Sequence, residues 1–392
     1  MYIHIDCNSF FASCEIATRP ELAEKPVVVA NDNEAGGGII LALNAEAKAL
    51  GLKRGNPVFQ VRRLLEQNHV EVCHVDHKKY RSISKQIMDV VQRQAIVLDF
   101  VQYSVDEFFG TIPVDEPDEV RRYVQKVKDL ITSETGIPVS CGCSQSYTLA
   151  KVATHYAKHY AGYHGICVLP PDKREKALRM LPIGDVWGVG RQNRKKLAQL
   201  GIGTAWDFAE CDERKVESIF SVTGLRTYRE LKGIPCIDLH RSELQRSISQ
   251  SRTFAYMIED RNELEAHIRS FAADCAVKLR AQHGVCAQVG VFVSTNRHRD
   301  DLPQYINGAM SKLVTPTADT PIIVKAAVSL FGTLFRNGYR YKQAGVTLAN
   351  ITEETGLQLD LFSAPEDEKR RKIMKITDEI NAKFGLDKVH FS

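Results

Sequence analysis

The stretch VQYSVDEFFGTI, residues 101–112, sets Asp106 and Glu107 side by side in a run that otherwise alternates like a buried hairpin. An unpaired buried charge costs several kcal/mol, roughly, even after its surroundings relax, so something positive must meet these two carboxylates. Working outward, residues 1–6 alternate, with Ile3 and Ile5 on one face and His4 and Asp6 on the other. That is a short strand ending in a third carboxylate. Residues 80–94 carry Ile83, Ile87, Val90 and Val91 at helical spacing, and residues 118–136 form a second amphipathic helix. A strand at 137–144 and a helix at 146–160 follow. The order strand, helix, hairpin (97–112), helix, strand predicts an α+β domain with a split βαβ, ferredoxin-like sheet and an insertion after its first strand.

In such a sheet Asp6, Asp106 and Glu107 converge at one end, the last two in the tight turn joining the two central strands. Like charges raise one another's pKa, and hard divalent cations remove the conflict. Mg²⁺ takes a few carboxylates together with substrate phosphates. Two such ions can activate an attacking hydroxyl and hold the leaving oxygen in phosphoryl transfer. Lys151, in SYTLAKVA, opens the helix after the last sheet strand, where phosphate is favoured, and Lys48 reaches from the insertion. The insertion itself predicts a strand at 24–32, a glycine turn at 36–38 and a helix at 44–55 with an Asn44 cap and a glycine stop. Gly38, Ile39 and Ile40 would form a small apolar roof. An insertion of this size cannot hold a large closing element.

Residues 181–210, LPIGDVWGVGRQNRKKLAQLGIGTAWDFAE, place a G-V-G turn between two helical stretches, the second carrying Arg191, Arg194, Lys195 and Lys196. In a helix-hairpin-helix the backbone at Gly188 and Gly190 faces a DNA phosphate and the basic helix adds charge. From Arg246 the pattern becomes a second βαββαβ unit. Its strands show Ser247, Ser249, Ser251, Arg252, Arg297 and Arg299 on one side, suited to a duplex backbone. After Ile351 the chain turns polar, and QLDLF (358–362) places apolar residues in a charged neighbourhood.

With 392 residues, 44% hydrophobic and 26% charged, the chain is an ordinary globular protein of two to four domains. It lacks an apolar run long enough for a membrane span and a basic leader at its N-terminus, which predicts a cytoplasmic protein without membrane partners. Ten cysteines without C-x-x-C pairs read as reduced thiols. Cys141 and Cys143 lie on one strand face and read as small buried hydrophobes. A net charge of +4 means that nucleic acid must be held by local patches.

HIDCNSFFASCE, KPVVV, NAEAKALG, YSVDEFF, TLAKVA, DVWGVGR and QLDLF, in that order over essentially the whole chain, resemble the Y-family translesion DNA polymerases of the UmuC branch. The resemblance implies a right-hand polymerase: a palm at 1–9 and 77–166, small fingers at 10–76, a helical thumb at 167–240, a little finger at 245–350 and a tail at 351–392. It implies low-fidelity DNA synthesis in the SOS response, extending a primer with deoxynucleoside triphosphates. Asp6, Asp106 and Glu107 would be catalytic and hold two Mg²⁺ ions, with the backbone carbonyl of Cys7. Phe10, Phe11, Lys48 and Lys151 would meet the nucleotide, Phe11 as a gate against a ribose 2′-OH. Gly188, Gly190, Arg191, Arg194 and Lys195 would bind primer-template DNA. Gln358, Leu359, Leu361 and Phe362 would bind a sliding clamp, and a UmuD-type dimer and RecA are implied as partners. Ala45 and Lys48 stand where many relatives have Tyr and Arg, and Leu43 where the UmuC pattern has an arginine. UmuC-like chains usually continue past the equivalent of KVHFS, so a C-terminal segment is expected beyond Ser392. Two other readings stay open: a DNA-binding scaffold without chemistry, against which the complete carboxylate set argues, and a nucleotide cyclase, which needs neither hairpin nor clamp peptide.

Overall fold

The computed structural model describes residues 1–31, 38–240, 244–354 and 368–384. It divides into two compact units, 1–241 and 242–392. The first opens with β1 (Tyr2–Cys7) and α1 (Phe10–Thr18), then β2 (Val27–Ala30), β3 (Ile40–Leu43), α2 (Ala45–Ala49), α3 (Val58–Gln67) and β4 (Glu71–His74). Next come α4 (His77–Arg93), β5 (Leu98–Gln102), β6 (Glu107–Thr111), α5 (Pro117–Thr135), β7 (Val139–Ser144), α6 (Tyr147–His159) and β8 (Ile166–Val168). Five strands pair in the order β5-β6-β1-β7-β8, with β1 antiparallel to both β6 and β7. The first four follow the split βαβ order, and β8 adds a parallel edge beside β7. The strand β5 is therefore an edge strand, and β1 rather than the hairpin partner is the central neighbour of β6. Ile3 and Ile5 are fully buried in the core that also takes Ile83, Ile87 and Val91 of α4 and Val120, Val124 and Val127 of α5.

The other face of β1 is covered by α6. At Gly142 the helix lies so close that an added Cβ would meet Ala150 O and Thr154 N at 2.2 Å. Only a glycine permits this approach, and it brings one face of α6 down onto the sheet end that carries the carboxylates. The insertion makes its own three-stranded sheet, β3-β2-β4. The expected helix at 44–55 is one short turn: Asn44 caps α2 by accepting from Ala47 N, as expected, but the helix stops before Gly51, not Gly55. Ile39 is exposed, whereas Ile40 is buried in the core of the insertion and forms no roof. The segments α1, α3 and β4 were not anticipated.

After β8 come α7 (Pro171–Met180), α8 (Arg191–Gln199), α9 (Ala205–Ala209), α10 (Glu213–Ile219) and α11 (Val222–Leu231). The G-V-G turn is preceded by a single 3₁₀ turn, Ile183–Asp185, so the expected first helix of the hairpin is absent and only α8 follows the turn as a full helix. Gly188 has φ +84°, which an L side chain rarely adopts. Fully buried Glu230 on α11 ties this region to the head of α6. Its carboxylate accepts from Thr148 N (2.7 Å), Cys236 N (3.0 Å) and Ile237 N (3.1 Å). Glu230→Ala would leave one buried and two half-buried donors without the carboxylate and is expected to destabilise the first unit by about 2 kcal/mol, read as a lower urea midpoint at unchanged m-value; an unchanged midpoint would mean that water replaces the carboxylate.

The second unit has β9 (Ser247–Ile258), α12 (Arg261–Ala281), β10 (Gly284–Thr295), β11 (Ile306–Thr317), α13 (Thr320–Leu334), β12 (Tyr341–Glu353) and α14 (Glu368–Phe384). This is the expected βαββαβ order, in an antiparallel sheet β11-β10-β12-β9. Its second and fourth strands are central, unlike the first unit's sheet, whose order places its first and third there. Ser247, Ser249 and Ser251 are exposed along β9, as expected of an open sheet face, whereas Arg252, the next residue in an unbroken register, falls on the opposite face. Arg297 and Arg299, by contrast, sit on the loop after β10, where Arg299 pairs with Asp301 at 2.6 Å. Within the stretch expected as a tail, α14 docks on this unit through a bidentate Arg280–Asp378 pair and buries Met374. The QLDLF residues lie outside the described residues. All ten cysteines are free, and among the described residues no helix is long and apolar enough to cross a membrane.

Candidate active site

Asp6 and Glu107 are direct register partners across β1 and β6. Asp106 sits one residue earlier, in the turn, and its backbone carbonyl accepts from Cys7 N at 2.9 Å. The three acidic residues line a cavity of ≈ 570 Å³ with Cys7, Phe10, Phe11, Leu43, Lys48, Arg54 and Lys158. The sheet end thus provides an acidic floor, and the insertion and α6 provide a basic rim.

The carboxylates are not left as an unpaired cluster. Lys158 ion-pairs with Asp6, and Lys151 reaches Glu107 at 2.8 Å. Asp106 accepts from the Ser104 hydroxyl. Burial raises the Asp6 pKa, and Lys158 only partly offsets this. Burial acts in the same direction on Glu107, but the neighbouring His4 imidazole and the Lys151 ammonium outweigh it and hold its pKa at about 2. Ligand atoms of His4, Asp6 and Glu107 lie within 4.8 Å of one another. His4 is buried under the floor, with Nδ1 2.9 Å from Thr154 Oγ1 and Nε2 3.7 Å from Glu107. Hard carboxylate oxygens lining a cavity roomy enough for a nucleotide fit Mg²⁺, and the lysines occupy in part the electrostatic role a cation would take.

The residues expected to meet a nucleotide separate into two groups. Lys48 lines the cavity and donates to Ser9 Oγ at 3.0 Å. Phe10 is buried, with its ring partly against the core, and Phe11 stands at the wall. The Phe11 ring stacks on Tyr80 (4.4 Å between centroids, 17°) and meets His77 edge-on. Tyr80 in turn donates to Glu15 at 2.8 Å, a carboxylate only 2% exposed that also holds Lys79 and Arg19. Lys151 does not line the cavity, and it lies one turn into α6 rather than at its start. It is drawn aside to Glu107 and lies over the Tyr103 and Trp187 rings. From the same helix, Lys158 lines the cavity instead. That residue was legible in principle, because positions seven apart share a helix face. Arg54, in the turn after α2, carried no comparable signal. Arg191, Arg194 and Lys195 are exposed on α8, with the Arg194 side chain packed over Gly184.

A family model described as impB/mucB/samB matches residues 5–155, and one for that family's C-terminal domain matches residues 245–361. Protein UmuC of Salmonella typhimurium is 34% identical over 100% of this chain and 93% of its own length. DNA polymerase IV of Bacillus velezensis is 29% identical over 97% of this chain and 90% of its own. Among solved structures, a Y-family DNA polymerase chimera of Dbh and Dpo4 superposes with a TM-score of 0.70 at 21% identity, covering 90% of this chain and 99% of that one. An insertion ternary complex of Dbh DNA polymerase gives 0.55 at 20%, with the same coverage. At these identities the structural likeness speaks for the fold.

Proposed function

The chain belongs to the impB/mucB/samB family and is a UmuC-like Y-family translesion DNA polymerase, and from that membership we propose how its residues divide the work. The observation that carries the reading is the register pair Asp6–Glu107, with Asp106 beside it, on the floor of a cavity rimmed by Lys48, Arg54 and Lys158. Asp6, Asp106, Glu107 and the carbonyl of Cys7 would hold two Mg²⁺ ions. When bound, these supply charge neutralisation for an in-line displacement at the α-phosphorus. Lys158, with Lys48 and Arg54, would orient the triphosphate, and Phe11 would exclude a 2′-OH. The five-stranded sheet with α4, α5 and α6 would be the palm, the insertion the fingers, 167–240 the thumb and 245–350 the little finger. Primer extension with and without Mg²⁺ tests the reading, since a scaffold would extend nothing and a cyclase would need no primer.

Exposed Arg194 and Lys195 on α8 would add charge beside the Gly188–Gly190 turn against DNA phosphates. Replacing both with alanine should weaken binding on any sequence and lower the salt-dependence slope by about two. An unaltered slope would assign α8 to packing alone.

QLDLF, Gln358–Phe362, would seat Leu359, Leu361 and Phe362 in a sliding clamp, with Gln358 at the rim. Leu361→Ala with Phe362→Ala should cost about thirtyfold in clamp affinity, since buried anchors commonly contribute about 2 kcal/mol. Distributive single-nucleotide insertion should be unchanged, because a tether raises only local concentration. Wild-type clamp binding by the double variant would remove the motif from that role.

A further inference from the structure

Trp187 immediately precedes the Gly188 turn, yet its indole is packed among residues that hold the carboxylate end of the sheet. It stacks on Phe109 at 5.3 Å and 25°, and Phe109 in turn contacts His4 at 4.5 Å. It donates from Nε1 to Tyr103 Oη at 3.1 Å and meets that ring edge-on. The backbone N–H groups of Tyr103 and Ser104 both donate to Glu107 O, at 2.9 and 3.1 Å, so the turn bearing Tyr103 is the one that fixes Glu107. Lys151 completes the cage: its ammonium lies 5.3 Å from the Tyr103 ring centre, 5.4 Å from that of Trp187, and 2.8 Å from Glu107. From the other side, Thr227 Oγ1 donates to Trp187 O and would meet a Cβ built on Gly188 at 2.9 Å. A single residue is therefore shared, its backbone leading into the glycine turn and its indole supporting the segment that holds Glu107.

We propose that Trp187 is a positioning residue that couples occupancy of the Gly188–Gly190 turn by a nucleic-acid phosphate to the placement of Lys151 and Glu107. The proposal rests on the polymerase reading above. The physical route is short. A phosphate seated at the turn orders the backbone on which Trp187 stands, and cation–π and stacking contacts fix Lys151 and the Tyr103 turn against it. Lys151 thereby acts on the carboxylate and not on the nucleotide, which accounts for its standing outside the cavity.

The chain has two tryptophans, so Trp206→Phe leaves Trp187 as the sole reporter. In that background, primer-template DNA should change the Trp187 emission with the same midpoint that anisotropy of labelled DNA reports. Trp187→Ala should lower kcat for single-nucleotide insertion about tenfold or more, a misplacement effect, while its DNA Kd changes less than about threefold. Trp187→Phe, which keeps the stack on Phe109, should recover most of the rate. Lys151→Met combined with Trp187→Ala should lose no more than the worse single variant, because the two act as one unit. An emission blind to DNA that binds by anisotropy would overturn the proposal. So would parallel loss of kcat and DNA affinity, or additive double-variant losses. If Trp187→Ala does not fold, the emission experiment and Trp187→Phe still decide. Failure of the wild-type protein to extend primers would instead count against the polymerase reading.

Discussion

Glu107→Ala is expected to lower nucleotide incorporation by about three orders of magnitude while leaving primer-template affinity within about threefold, because a carboxylate that holds a catalytic cation serves the transition state and not the duplex. Glu107 has the environment that such a role requires. It starts β6 opposite Asp6, and its low pKa of about 2 keeps it ionised across any working pH. Asp6 and Asp106 should behave alike on incorporation, though for different structural reasons. Asp6→Ala releases Lys158, whereas Asp106→Ala releases only the Ser104 hydroxyl. Glu107→Gln, which keeps the shape and removes the charge, separates chemistry from folding. Removing the carboxylate leaves Lys151 beside two rings without its counter-ion, so Tm should be recorded for each variant. Incorporation within tenfold of wild type in folded Glu107→Gln would remove Glu107 from the cation site.

Phe11→Ala should raise the ratio of ribonucleotide to deoxynucleotide insertion by up to about a hundredfold. Forcing an extra atom into packed space costs about 1–3 kcal/mol, and an aromatic wall can impose that cost only if it does not move. Phe11 is held by its stack on Tyr80, and Tyr80 is held by a hydrogen bond to nearly inaccessible Glu15. Deoxynucleotide insertion should change by much less, because a deoxyribose has no 2′-oxygen for the wall to exclude. Phe11→Tyr should keep the gate closed. Unchanged discrimination in Phe11→Ala, measured by paired single-nucleotide kinetics with each triphosphate, would place the gate elsewhere.

Much of the first unit was legible because its signals are local. The alternation of Ile3 and Ile5 against His4 and Asp6, the stripe of α4 and the position of the acidic pair are each written in a few consecutive residues. The second βαββαβ unit was readable for the same reason, and so was Asn44 as a cap. The misses have a common cause as well. Helix α2 stops early because the Leu50–Gly51 corner turns away, with Gly51 at φ +84°. Arg297 and Arg299 look like strand residues only until the register of β10 and β11 is known, which leaves them on the connecting loop. The 3₁₀ turn before Gly188 is too short for periodicity to separate it from a helix.

The sequence by itself determined which side chains share a strand face or a helix face and that acidic residues stand at strand ends, since these follow from periods of 2.0 and 3.6 residues. It also determined the family, through the ordered set of motifs. Only the tertiary structure decided which lysine of α6 faces the cavity. The approach of α6 to β7 at Gly142 turns Lys158 to Asp6 and leaves Lys151 to Glu107 and two aromatic rings. It alone decided that Trp187 meets Phe109 and Tyr103 across a long stretch of chain, and that Glu15 braces the wall at Phe11 through Tyr80. Periodicity assigns a residue to a face, but the partner of that face depends on how closely two backbones approach, and that distance is set by packing between segments remote in sequence.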